Sequence, residues 1–320
     1  MIKKRQNIDF GKVALLMGGT SAERDISLLS GEAIYQGLLE KNIDVIKIDP
    51  KEDFVQKIQN NAIDRAFIAL HGTHGEDGTI QGFLTMMGIP FTGSDITGSA
   101  ISMNKIMSKR IWIQAGFNTA DFLQIVSNEK FALSDANKVI ETLGKILFVK
   151  PANEGSSVGM SKSTNAEELV VAVAKAQEFG AVLVEQFVDG REYTVGIING
   201  EALPSISMVT PNEYYDYDAK YLADTTEYFC PSGLSEQEEQ QLRSTALAAF
   251  EVLGCSGWGR VDFIRDKNSN TFELLEANTI PGMTKTSLLP KAARANGMSF
   301  SQLVVSILST SLAEGEECYG

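Results

Sequence analysis

The chain has 320 residues, 43% of them hydrophobic and 22% charged, with a formal net charge of −13. That length exceeds one ordinary core, so two or three domains are expected. The acidic field argues against nucleic acid or an anionic membrane surface as a partner, and no apolar run approaches a membrane span. Residues 1–5 carry charge, but no apolar stretch long enough for a secretory signal follows. The three cysteines, Cys230, Cys255 and Cys318, are widely spaced and odd in number. They form neither a zinc pattern nor a disulfide framework, and a reducing cytoplasm is the simplest setting. Two histidines, His71 and His74, exclude a histidine-rich metal site.

Residues 12–17 read as a short, fully apolar strand. The turn Gly18-Gly19-Thr-Ser-Ala-Glu23-Arg24 follows, then a helical pattern over 26–41. Strand, glycine turn and helix open a doubly wound α/β unit, whose ligands gather at the strands' C-terminal ends. Residues 44–49 and 65–70 supply the next strands, and the second runs into the glycine-rich loop 71–78. A helix over 79–87 and a short edge strand over 89–93 complete a first domain, residues 1–103. A central α+β lobe, 104–190, follows. Residues 94–116 are expected to be mostly helical, with Lys105 near the middle. Strands at 121–126, 146–151, 160–162 and 181–188 alternate with helices at 134–143 and 165–179, the latter capped by Asn165. A last lobe, 191–320, opens on two strands around Asn199-Gly200, a strong hairpin signal. A long aromatic and charged loop is expected over 211–229. Ser235-Glu-Gln-Glu238 is a capping box before a helix ending near Gly254. Two helices, about 285–295 and 299–313, finish the chain.

Between the helix ending near Gly254 and those last two lies Gly257-Trp-Gly-Arg-Val-Asp262, with residues to 266, and then Thr271-Phe-Glu-Leu-Leu-Glu-Ala-Asn278. Two apolar, alternating runs around a polar segment read as a β-hairpin. Strand periodicity puts Arg260 and Asp262 on one face and Glu276 and Asn278 on another. If those faces coincide, one wall holds a guanidinium, two carboxylates and an amide. These hard oxygens suit Mg²⁺ with bound phosphates. A solvated surface hairpin is the bland alternative, and the neighbouring Val261, Phe263, Leu274 and Leu275 are too apolar for it.

Other features are ambiguous singly. The loop Glu154-Gly-Ser-Ser-Val-Gly159 can close over phosphates or be an ordinary turn. Lys150 ends an apolar strand, and Lys105 has the bland reading of a solvent-facing helical lysine. Glu185 interrupts an apolar strand, so it needs partners. Either a salt bridge or an adenine edge would do, with the backbone of Phe187 and Val188 offering one donor and one acceptor. Glu23 is explained as well by the dipole of the following helix. His71 has the plain alternative of a structural hydrogen bond. Two lysines, a glycine-serine loop and an acidic wall together favour phosphate transfer.

In order along the chain stand Gly18-Gly-Thr-Ser-Ala-Glu-Arg24, Leu70-His-Gly72, Gly75-Glu-Asp-Gly78, Ser102-Met-Asn-Lys105, Val149-Lys-Pro151, Glu154-Gly-Ser-Ser-Val-Gly159, Tyr215-Asp-Tyr-Asp-Ala-Lys-Tyr221, Gly257-Trp-Gly-Arg-Val-Asp262 and Leu275-Glu-Ala-Asn-Thr-Ile-Pro-Gly-Met-Thr284. Over nearly the whole chain this set closely resembles the D-alanine–D-alanine ligases, an ATP-grasp family of peptidoglycan synthesis. The resemblance implies an N-terminal α/β domain and two α+β lobes that grip ATP. It implies two Mg²⁺ ions, with Mn²⁺ as a substitute, on Asp262, Glu276 and Asn278. Lys105, Lys150 and Lys220 would meet the ATP phosphates under the Ser157 loop, and Glu185, Phe187, Val188 and Glu192 would surround adenine and ribose. Glu23 would hold the first D-alanine's ammonium, linked to Ser156 and Tyr221, with His71 near its carboxylate. Ser287 and Leu288 would hold the second D-alanine. Arg260 and the Gly282 N–H would form an oxyanion hole. A cytoplasmic homodimer is implied. Asn104 stands where the family commonly has aspartate, and Gln186 where it has lysine, which leaves fine nucleotide affinity open. The competing functions are a D-alanine–D-lactate ligase, a ligase for another acid and amine, and a nucleotide-binding regulator without catalysis.

Overall fold

The computed structural model describes residues 9–155, 158–209 and 226–312. β1 (Val13–Leu16) is apolar and buried along its whole length, as a strand covered on both faces requires. It lies between β2 (Val45–Ile48) and β3 (Arg65–Ile68), parallel to both. A parallel bridge from Ala66 to Phe91 adds the expected edge segment. α1 (Arg24–Leu39), α2 (Phe54–Asn60) and α3 (Thr79–Met86) connect these strands. The sequence does not predict α2, because its polar face and seven residues give little periodicity to read.

The expected helix over 94–116 is two helices, α4 (Ile96–Met103) and α5 (Lys105–Gln114). Asn104 is extended between them, and its side chain accepts a hydrogen bond from the Met107 N–H at 3.0 Å. An N-cap breaks the helix there, so Lys105 is the first residue of α5 rather than mid-helix. Asparagine and aspartate cap about equally well, which accounts for the departure at Asn104.

The central lobe is a four-stranded antiparallel sheet, ordered β4 (Phe122–Ile125), β7 (Val182–Gln186), β5 (Leu147–Pro151), β6 (Ser161–Ser163), backed by α6 (Leu133–Leu143) and α7 (Ala166–Gln177). It has its own core around Val149, Leu169, Val173 and Val184.

The third sheet has six antiparallel strands. Its path runs β11 (Glu227–Phe229), β10 (Ile206–Val209), β8 (Gly190–Ile198), β12 (Trp258–Asp266), β13 (Phe272–Asn278), with β9 (Glu201–Ala202) beside β8. β11 falls inside the stretch expected to be loop throughout. α8 (Glu236–Glu251) starts at the Ser235 capping box. Asn199 and Gly200 both have positive φ, 51° and 74°, the conformation a two-residue hairpin turn demands. α9 (Leu288–Ala295) packs on β8 of this sheet, and α10 (Phe300–Leu308) packs on α9 and on α1 of the N-terminal domain. One continuous core joins Leu15, Phe67, Trp258, Leu289 and Val304. Trp112 of α5 lies in the core under the third sheet, donating to the Ala249 carbonyl at 2.8 Å.

Candidate active site

The hairpin pairs Arg260 with Asn278 and Asp262 with Glu276. The two faces inferred from strand periodicity are therefore one face. The pairing skips Leu275: Phe263 lies opposite Leu274, while Asp262 lies opposite Glu276. This β-bulge shifts the phase of β13 by one residue. Leu274 thereby reaches the core, at 1% exposure, while Leu275 and Glu276 both line the cleft.

The wall is held by its own contacts. Arg260 Nε and a terminal guanidinium nitrogen donate to the two oxygens of Asp262, both at 2.7 Å. Thr194 donates to Asp262 Oδ1 at 2.6 Å, and Asn278 to Oδ2 at 3.2 Å. Lys105 Nζ stands 3.5 Å from Glu276 and donates to the Glu154 carbonyl at 2.7 Å. Among the described residues no three His, Cys, Asp or Glu side chains cluster as metal ligands. The donor set is two carboxylates and an amide, which are hard oxygens of the kind Mg²⁺ takes with phosphate and water completing its shell. In this structure the charge of Asp262 is answered by Arg260. The residues thus fit a divalent cation, provided that pair loosens.

On one side of the wall is a cleft of about 350 Å³ between the central sheet and the third sheet. Lys105, Lys150, Glu185, Phe187, Val188 and Glu192 all line it. Glu185 is buried on β7 and ion-paired to Lys150 and, at 3.0 Å, to Lys109. Burial alone would raise its pKa, but the two lysines overcome that and hold it down at about 2. Phe187 packs on Phe148, ring centroids 5.6 Å apart. The Phe187 N–H is spent on the Ile146 carbonyl at 3.1 Å, so within this dipeptide the donor to a base would have to be Val188.

On the other side is a smaller chamber, about 120 Å³, that shares Lys105, Gly155, Arg260, Glu276 and Leu288 with the cleft. Glu23, His71, Asn278, Gly282 and Ser287 line it. Glu23 is the N-cap residue of α1, yet its side chain makes no cap hydrogen bond. Its carboxylate lies against Gly72 and Gly155; a Cβ on Gly155 would stand 3.0 Å from Oε2. The helix dipole therefore does not account for where that carboxylate points. Arg24 and Asp49 pair at 2.7 Å, and Asp49 accepts the Gly19 N–H. Together they fix the glycine turn that presents Glu23. Gly18 has φ +90°, and a Cβ there would sit 2.6 Å from Asp49, so the turn requires glycine. His71 is buried, and burial pushes its pKa down against the pull of Glu23, so the ring is neutral at pH 7. It contacts Ser30 at 3.4 Å, and Ser30 accepts the Met283 N–H at 3.1 Å. Ser287 precedes α9 and accepts the Thr284 N–H at 3.0 Å.

The structure thus brings together every sequence-derived candidate within the described residues. Ser156, Ser157, Lys220 and Tyr221 lie outside them. Two further residues belong to the site without a signal strong enough to find them in the sequence. Lys109 looks there like a plain helical lysine, although its spacing of four from Lys105 puts both on one face of α5. Glu76 stands in the Gly75–Gly78 motif with no role that the residue types suggest. Burial and the neighbouring Glu23 push its carboxyl up to about 8, although it accepts the Gly72 N–H at 2.7 Å.

Residues 111–309 match the family model described as D-ala D-ala ligase C-terminus, and residues 50–94 match its N-terminal counterpart. The chain belongs to the D-alanine–D-alanine ligase family. A D-alanine–D-alanine ligase of Pseudoalteromonas atlantica is 48% identical over 302 residues, covering 94% of each chain. The D-alanine–D-alanine ligase of Bacillus anthracis, solved in complex with ATP, superposes with a TM-score of 0.81 at 31% identity, covering 94% of this chain and 97% of that one. The VanG D-Ala:D-Ser ligase of Enterococcus faecalis superposes with a TM-score of 0.80 at 27% identity, covering 94% and 99%. The family's ATP-grasp architecture is the one described above. No helix among the described residues is long and apolar enough to cross a membrane.

Proposed function

We propose that the protein joins two D-alanines into D-alanyl-D-alanine, consuming ATP, as a cytoplasmic enzyme of peptidoglycan precursor synthesis. Family membership supports the ligase activity. The observation that carries its mechanism is the shared wall: Lys105, Arg260 and Glu276 face both the phosphate-suited cleft and the small amino-acid-sized chamber. In this reading the chain divides into residues 1–103, 104–190 and 191–320, and acts as a homodimer.

A carboxylate is a poor acylating agent because its leaving group would be oxide. In the first step a carboxylate oxygen of one D-alanine attacks the γ-phosphorus of ATP. The bond to the β-phosphate oxygen breaks, giving ADP and an acyl phosphate. Lys105, Lys150 and Lys220 offset the phosphate charge. Two Mg²⁺ ions on Asp262, Glu276 and Asn278 would supply further charge neutralisation when bound. In the second step the neutral amine of the other D-alanine attacks the acyl carbon, a C–N bond forms, and phosphate leaves with the bonding electrons. The amine proton is lost. Arg260 and the Gly282 N–H receive the transient oxyanion. Glu23, with Ser156 and Tyr221, holds the first ammonium; His71 steadies its carboxylate; Ser287 and Leu288 seat the second substrate.

The D-Ala:D-Ser ligase among the structural neighbours shows that this fold accommodates more than one nucleophile. Phosphate release should therefore be assayed with D-alanine alone and then with D-serine, D-lactate and L-alanine added, the products being identified by mass. D-alanine alone should give ADP and dipeptide. Turnover only with another nucleophile would replace this assignment, and no ADP under any condition would favour a non-catalytic nucleotide binder.

A further inference from the structure

Glu185 has two lysine partners of different character. Lys150 lines the cleft with 18% of its side chain exposed, whereas Lys109 is sealed beneath it at 1%. Lys109 is also anchored from behind. It donates to Thr119 Oγ1 at 2.6 Å, and that hydroxyl donates to the Leu274 carbonyl at 2.7 Å. The Phe122 ring lies 5.5 Å away. The Leu274 N–H in turn donates to the Asn118 carbonyl at 2.9 Å, so α5, the turn after it and β13 form one fixed support. The cluster is two ammoniums and one carboxylate. Glu276 and Glu192 also act on Lys150 from the cleft side, and Glu273 acts on Lys109, so of the two ammoniums Lys150 is the one that faces the cleft.

We propose that Lys109 is a positioning residue, the resident counter-ion of Glu185 that leaves Lys150 able to turn from that carboxylate to a nucleotide phosphate oxygen. The inference rests on the reading of the cleft as an ATP site. With Lys109 absent, Glu185 would keep a single cation. Any phosphate that drew Lys150 away would leave a buried carboxylate unpaired, an arrangement proteins avoid strongly. Lys150 would then stay with Glu185, and phosphate recognition would fail while the apolar part of the cleft stayed intact. A role limited to holding the fold together would instead weaken every ligand alike.

The test is the ratio of adenosine to ATP dissociation constants, measured by calorimetry on the full chain with Mg²⁺ present, for wild type, Lys109→Met, Glu185→Gln and the double variant. Wild type should favour ATP strongly. Lys109→Met should lower that ratio by about tenfold or more, and adding Glu185→Gln should restore it to within about threefold of wild type, because the carboxylate that captured Lys150 is gone. A Lys109→Met protein with the wild-type ratio would overturn the proposal. If that variant does not fold, the neutral double variant decides: a ratio about tenfold below that of Glu185→Gln overturns the proposal, and equality supports it. A wild type that binds adenosine as tightly as ATP would instead overturn the nucleotide reading of the cleft.

Discussion

Arg260 stands where the two chambers meet, and its guanidinium is already oriented by both oxygens of Asp262. Metal binding to Asp262 would loosen that pair and free Arg260 to meet the charge that develops on the acyl oxygen. Arg260→Ala should therefore lower kcat by about 10²–10³, the usual effect of deleting one oxyanion donor, while ATP still binds. Steady-state phosphate release beside an ATP titration checks this, and undiminished turnover would remove Arg260 from that role. Glu76 offers a pH-dependent counterpart. Burial first, then Glu23, raises its carboxyl to about 8. The fold holds this proton more tightly than the unfolded chain does. Stability from this group is thus fully present below the unfolded pKa near 4.5 and falls as pH rises toward 8. Glu76→Gln cannot ionise, so its melting temperature relative to wild type should climb between pH 5 and pH 8. A difference that stays flat across that window would show that Glu76 is ionised in the fold.

At the scale of elements, α4 depends on a close approach. A Cβ on Gly98 would stand 2.4 Å from the Gly254 carbonyl oxygen, a backbone atom that cannot rotate away. Glycine to alanine within a helix ordinarily stabilises by about 0.5–1 kcal/mol. Here the sign should reverse, and Gly98→Ala should cost about 1–3 kcal/mol through overpacking, read as a lower midpoint in urea unfolding. A gain in stability would show that the contact gives way. The same scale shows how far the sequence can be read. Caps and turns with local chemistry are legible: Asn165, Ser235 and Asn199-Gly200 each do what their side chain or φ requires. The acidic wall is legible because charged side chains recurring every second residue in apolar strands are costly to bury unless they serve a ligand or each other. The phase of β13 is harder. Strict alternation puts Leu274 on the face of Glu276, and the adjacent leucines are the one sign of a bulge that separates them. The break at Asn104 is hidden because the apolar pattern runs on through it. Lys109 is hidden because burial of a lysine is decided by Glu185 and Thr119, which lie 76 and 10 residues away, and no local pattern encodes such distant partners.

Across the whole molecule, two bodies flank the larger cleft. The central sheet has its own core, while the N-terminal sheet and one face of the third sheet share another. A ligand held between them should stabilise the assembly by linkage. ATP at about a hundred times its Kd should raise the unfolding free energy by about 2.7 kcal/mol, seen as an upward thermal shift that adenosine at equal concentration does not match. Absence of any shift would count against the cleft as a nucleotide site. The shared core has a further consequence for synthesis. Buried Arg65, on β3, donates to the Phe10 carbonyl at 2.7 Å and to the Ser311 carbonyl and hydroxyl at 3.2 Å, a partner 246 residues later. α1 likewise packs on α10, with Gly37 set against Val304 and Phe300. Domains usually fold in the order in which they leave the ribosome. Here the first-made domain lacks part of its core until nearly the whole chain has emerged, whereas the central lobe can close its core as soon as residue 186 is free. The middle of this protein is therefore placed to complete its core before its beginning, which waits for α10.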